Sequence, residues 1–172
     1  MSELTGDWSK VSNILNPAKL RAALTKCAAR VGNYGASQVK KGIISGAPGG
    51  KTFAPLSQFT IERKRSSKPL IDHGDLVGSV TYQVFDDAKS VFVGVKKGKE
   101  VNIAAVHEFG CTIPVTPKMR AFLHHQGIHL KTTTQYINIP ARPYIRPVLY
   151  NNEFQSKVRE IYAQAIQEAF AI

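Results

Sequence analysis

The spacing of apolar residues changes period twice along this chain, from helical to strand-like and back to helical. Leu20, Leu24, Cys27, Val31 and Tyr34 recur three and four apart, the repeat of one helix face. Asn16 stands where an N-cap is needed, and Pro17 takes the first helical position, where its missing N–H is no loss. Gly46, followed by Ala47, Pro48, Gly49 and Gly50, stops the segment. A helix is therefore expected over Pro17–Ser45, with Gly32, Gly35 and Gly42 each weakening it by about 1 kcal/mol relative to Ala. After Gly74 the period falls to two: Val80, Tyr82 and Val84 alternate with Ser79, Thr81 and Gln83. This predicts a hairpin, with strands at 79–85 and 90–95 around a turn at Asp86–Lys89.

Beyond the hairpin, residues 102–109 read as a short helix burying Ala104, Ala105 and Phe109. Segments 112–116 and 135–139 read as strands on either side of a helix at Pro117–Gln126. The helical period returns from Pro147 to Phe170. Strands grouped between helices favour an α+β fold over a doubly wound α/β one. The expected architecture is one domain over residues 1–172. It holds an antiparallel sheet of about four strands, the β-hairpin 79–95 plus the later strands, packed by a long N-terminal and a C-terminal helix. Residues 1–15 read as an N-terminal arm, 46–70 as a long exposed loop with a short helix near Ser57–Arg65, and 147–172 as the C-terminal helix. No apolar run approaches the roughly 18 residues of a membrane helix, so no membrane partner is expected. The first ten residues lack a basic-then-apolar order, so no secretory signal is expected.

Charge adds a second constraint. The 172 residues carry a formal net charge of +11, which calls for an acidic partner: nucleic acid, an anionic surface or another protein. The excess is segregated. Residues 71–110 hold four basic and six acidic side chains, whereas 111–146 hold five basic and no acidic ones. A mildly acidic block between basic regions suits contacts between stacked or neighbouring protein copies as well as it suits nucleic acid. Arg63, Lys64, Arg65 and Lys68, with Lys96, Lys97 and Lys99, are the candidate contacts to an acidic partner. Phe59 is the one aromatic near the first group, so a base-stacking platform is lacking, and no helix-turn-helix, zinc-finger or ribonucleoprotein signature is present.

Catalytic and metal motifs are incomplete. His107 and Glu108 begin a zinc-protease signature, but Cys111 stands where its second histidine belongs. His124, His125 and His129 form a local cluster broken by Gly127 and without a neighbouring carboxylate. Asp72, His73, Gly74 and Asp75 read as a turn in which Gly74 supplies a positive φ and Asp75 caps the following segment. A small metal-dependent hydrolase built from His107, Glu108, Asp72 and the histidine cluster is the weakest of the functions open at this point. Gly50, Lys51 and Thr52 match the end of a phosphate-binding loop, but its first glycine falls on Ser45 and a helix precedes it. Cys27 and Cys111 are too few for a zinc site and read as free thiols. No cofactor is expected.

One ordered set of motifs remains: Ala54-Pro55-Leu56-Ser57; Thr60-Ile61-Glu62-Arg63-Lys64; Pro69-Leu70-Ile71-Asp72-His73-Gly74-Asp75-Leu76 with Ser79; Ala104-Ala105-Val106-His107-Glu108-Phe109-Gly110; and Ile139-Pro140-Ala141-Arg142-Pro143-Tyr144. This order resembles the tailed-bacteriophage virion morphogenesis family of the Mu type and the wider tail-completion or neck proteins. The resemblance spans about Phe53 to Tyr150. It implies a non-enzymatic structural protein of the virion, forming a ring of six or twelve copies at the neck or tail top. Implied partners are copies of itself, the head–tail connector, and tail tube, terminator or sheath proteins, with passing DNA as a secondary contact. The residues that would carry assembly are Leu70, Asp72, Gly74, Leu76, Ser79, His107, Glu108, Phe109, Gly110, Arg142 and Pro143. Pro143 holds Arg142 extended, and Arg142 is expected to pair with Glu108 or Asp72 of its own chain or of a neighbour.

Overall fold

The computed structural model describes residues 16–64, 66–85, 90–96, 98 and 100–170. In chain order the elements are α1 (Pro17–Ser45), a 3-10 turn (Pro48–Gly50), α2 (Gln58–Lys64), α3 (Asp75–Ser79), β1 (Val80–Val84), β2 (Val91–Val95) and α4 (Glu100–Phe109). They continue with β3 (Cys111–Pro114), α5 (Pro117–His125), β4 (Tyr136–Ile139), α6 (Arg146–Leu149) and α7 (Asn152–Phe170). The expected arm 1–15 and the turn at Asp86–Lys89 lie outside the described residues, as do Arg65, Lys97 and Lys99.

Helix α1 is the spine. The Asn16 side chain accepts from the N–H groups of Ala18 and Lys19 at 3.0 and 3.3 Å, satisfying two donors that a helix start leaves open. Gly46, at φ 75°, closes the other end by donating its N–H to Ile43. Strands β1 and β2 pair antiparallel, Val80 opposite Val95 and Val84 opposite Val91, and lie across α1. Helix α7 packs on α1 as well, with Tyr34 stacked on Phe154 at 5.4 Å between centroids. Ala36, Val39, Ile43, Leu76, Val80, Tyr144, Val148 and Phe154 form the core between these layers.

The single four-stranded sheet expected from the sequence does not form. The four strands make two separate two-stranded antiparallel sheets, β1–β2 and β3–β4, and among the described residues seven α-helices dominate. The cause lies in α4. Its ten residues carry the chain about 15 Å along the helix axis before β3 begins. Gly110, at φ 76°, then turns β3 back onto its own partner, with Cys111 opposite Ile139.

Two further expectations shift. The buried face of α1 only partly follows the Leu20–Tyr34 stripe: Cys27 is fully buried and Leu24, Val31 and Tyr34 are half-buried, but Leu20 is exposed, and the other buried positions are Ala28, Gly32, Gly35, Ala36, Val39, Gly42 and Ile43. The glycines that weaken the isolated helix are the places where its backbone meets its neighbours. A side chain at Gly32 would run into the Tyr82 ring and lie 2.9 Å from Val91 Cγ1. In α4, Ala104 is buried, but Ala105 is exposed and Phe109 is 60 % exposed, so Phe109 is not the core anchor expected.

Candidate functional site

The sequence motifs, as many as 88 residues apart, meet at one place. Helix α4 presents Glu108 inward, 7 % exposed. Its carboxylate accepts three backbone N–H groups: Tyr144 at 2.8 Å and Ile145 at 3.0 Å on Oε2, and Arg146 at 3.0 Å on Oε1. These donors sit at the open start of α6, so Glu108 caps that helix from a distant part of the chain. Arg142 is equally buried. Its Nε and one terminal nitrogen donate to the carbonyls of Ala54 and Pro55, both at 2.9 Å, and its backbone N–H donates to the His107 carbonyl at 2.6 Å. A buried charge is tolerated only when fully hydrogen-bonded, and here both charges are answered by backbone.

The within-chain pairing expected for Arg142 is therefore replaced by a double clamp. Arg142 holds the 54–55 segment, and Glu108 holds 144–146. Burial lowers the Arg142 pKa from its ordinary value, which still leaves the guanidinium charged at neutral pH.

Beside the clamp lies a cleft of about 450 Å³. Its apolar lining comes from Leu56, Leu70, Leu76 and Ile103. Polar groups on its walls include Asp72, Asp75, Glu100, Lys64 and His107. Leu70 is the one non-glycine residue with positive φ among those described, at 61°, a conformation that costs about 1–2 kcal/mol for a side chain of its kind. Gly74, at φ 92°, makes the expected turn, but Asp75 is the first residue of α3 rather than its cap. Ser79 Oγ donates to the Leu76 carbonyl at 2.8 Å and closes α3. Burial, then Arg142 and Lys64, push the His107 pKa below its ordinary value, so the imidazole is neutral at pH 7. Its Nδ1 and the Tyr144 hydroxyl are buried with no partner among the described residues. Burial and the nearby Glu108 carboxylate push the Tyr144 hydroxyl far above the ordinary tyrosine range.

The remaining sequence candidates are scattered. Arg146 stacks over the exposed Phe109 ring at 4.8 Å. Arg63 lies over Phe59 at 5.2 Å and donates to Gln126. Lys64 donates to the Lys68 carbonyl at 2.6 Å, and burial lowers its pKa. Lys68 and Lys96 are exposed, and Pro143 is half-buried. The His124 and His129 rings meet edge to face at 4.5 Å. Among the described residues no three His, Cys, Asp or Glu side chains converge as a metal site would need. Glu108, the carboxylate of the incomplete zinc-protease signature, has both oxygens engaged by backbone N–H groups. Cys27 is fully buried and Cys111 half-buried, and both thiols are free.

Sequence reasoning missed the acceptors and donors of the clamp, because backbone groups carry no side-chain signature. Glu108 and Arg142 stood out as candidate residues, but the pairing expected between them does not form and their backbone partners were not foreseen. Comparison with known families supplies what geometry alone does not. A model of the phage virion morphogenesis family matches residues 7–170, nearly the whole chain.

The chain belongs to the phage virion morphogenesis family.

No curated protein and no solved structure matches it. Residues that resemble the pieces of a catalytic site hold three distant backbone segments in register, and two of them, His107 and Arg142, also line the cleft. The described residues include no helix long and apolar enough to cross a membrane.

Proposed function

We propose that this protein is a structural component of the phage neck or tail top, of the Mu type, completing the tail and joining it to the head connector. Copies form a closed ring of six or twelve, and the ring contacts the connector on one side and tube, terminator or sheath proteins on the other. The observation that carries this reading is the family match over residues 7–170. It is supported by the clamp: Glu108 and Arg142 are bonded to backbone and leave little for chemistry. The segregated charge, acidic in 71–110 and basic in 111–146, suits contacts between protein copies. Deleting the gene from a phage that carries it is expected to give filled heads and finished tails that fail to join. Normal infectious tailed particles from the deletion would refute the reading.

A second reading, a basic nucleic-acid-binding protein, is favoured by the net charge of +11 alone. It requires DNA affinity that falls steeply with salt, because phosphate contacts release counterions. Absence of binding at low salt removes it.

A further inference from the structure

The segment from Phe109 to Ala141 contains no buried residue, although every one of its positions is described. It comprises β3, α5 and β4: a ribbon of two four-residue strands and a nine-residue helix. Neither unit is stable alone. A two-stranded ribbon is marginal in water, and so is a helix shorter than about 12 residues. The lobe is braced internally, Arg120 donating to the carbonyls of Leu130, Lys131 and Thr134, and Gln126 accepts from Arg63 of α2. It nevertheless presents Phe122 at 60 % and Tyr136 at 62 % exposure. On α5, Lys118 and Phe122 are four apart and share one exposed face with Ala121 and His125.

The charge on this lobe is of one sign. From Phe109 to Asn152 the chain has no Asp or Glu, whereas Lys118, Arg120 and Lys131 lie within the lobe. Opposite charge occurs elsewhere on the same protein. Asp72 and Asp75 are exposed at the cleft and Glu100 is half-buried there, whereas its two cations, Lys64 and Arg142, are turned onto the carbonyls of Lys68, Ala54 and Pro55, and the rest of the lining is largely apolar. An exposed helix face carrying Phe122 and Lys118 and a concave apolar surface with Asp72 and Asp75 exposed at it are complementary.

We infer that the β3–α5–β4 lobe of one copy docks in the cleft of the next, with Phe122 in the apolar lining and Lys118 and Lys131 facing Asp72, Asp75 and Glu100. Two different patches of one chain meet in this contact. That is the head-to-tail geometry that closes a ring when its rotation divides the circle. The occupant is a second copy of this chain, so the inference rests on the ring reading and names its interface. It also explains why the lobe folds without a core of its own: its core forms on assembly.

The test is the mass of the full-length chain in solution by light scattering and sedimentation. The unaltered protein is expected to be a ring. Phe122→Asp and Asp75→Lys should each shift it toward monomer, with self-association weakened about 30-fold or more for Phe122→Asp, as for an aromatic anchor at an interface centre. Lys118→Glu combined with Asp75→Lys should regain mass relative to either single change. Circular dichroism melts within a few degrees of the parent show that the variants fold. Independently, in a Cys111→Ser background, a Phe122→Cys chain mixed with an Ile103→Cys chain should form disulfide-linked pairs that neither chain forms alone. Rings of unchanged mass in all variants, with no mixed disulfide, would overturn the lobe interface and leave the ring standing. A parent chain that is monomeric at every concentration would overturn both.

Discussion

Replacing Glu108 separates a structural clamp from a catalytic carboxylate. Glu108→Ala leaves three backbone N–H groups, of Tyr144, Ile145 and Arg146, without acceptors in a site where Glu108 itself is only 7 % exposed. Each unsatisfied buried donor costs about 1–3 kcal/mol. The three are neighbours and do not add fully, which puts the loss at about 4 kcal/mol. Glu108→Gln is milder. With its carbonyl at the Oε2 position it still accepts from Tyr144 and Ile145, but its NH₂ faces the Arg146 N–H, for a loss of about 2 kcal/mol. Urea unfolding followed by circular dichroism reads both. With a slope of about 2 kcal/mol per molar, the midpoint should fall by about 2 M for Ala and 1 M for Gln. Midpoints within 0.3 M of the parent for both variants, a margin of roughly 0.6 kcal/mol on the same slope, would refute the clamp.

Arg142→Ala should lower stability by about 2–4 kcal/mol, because the Ala54 and Pro55 carbonyls lose a charged donor. Arg142→Lys should recover only part of that loss in the same urea titration, since an ammonium lacks the fork that reaches both carbonyls. Gly32→Ala should destabilise by about 1–3 kcal/mol in thermal melts despite its better helix propensity, because the added methyl meets the Tyr82 ring. For His107 the folded-state pKa is lowered, so the unfolded chain takes up the proton first as pH falls. The stability from holding it neutral is present above about pH 6.5 and is lost below it. Melts of His107→Gln should show a shallower decline than the parent between pH 7 and 5; identical slopes would show that burial, with Arg142 and Lys64, does not hold His107 neutral.

Local elements were legible wherever local chemistry sets them. The Asn16 cap, the Gly46 stop, the hairpin strands and the Gly74 turn follow from side chains read a few residues at a time. What was not legible depends on contacts between distant segments. The apolar period of α1 pointed to Leu20, Leu24, Cys27, Val31 and Tyr34, of which Cys27 is buried, Leu24, Val31 and Tyr34 are half-buried and Leu20 is exposed. The rest of the buried face follows Gly32, Gly35 and Gly42, because close backbone approach to Tyr82, Val93 and Pro48 outweighs side-chain hydrophobicity. The strands of 111–114 and 136–139 were placed close to their true positions, yet their membership of a separate sheet is set by the reach of α4. At the site, Glu108 and Arg142 stood out as charged residues among apolar motifs. Their partners are peptide groups of 54–55 and 144–146, whose identity leaves no trace in residue type.

A reconstruction of the intact virion neck tests the structural assignment most directly. A closed ring of this chain between connector and tail, with the Phe122 lobe of each copy in the cleft of its neighbour, is the expected result. Virions in which the neck contains no copy of this chain would contradict it.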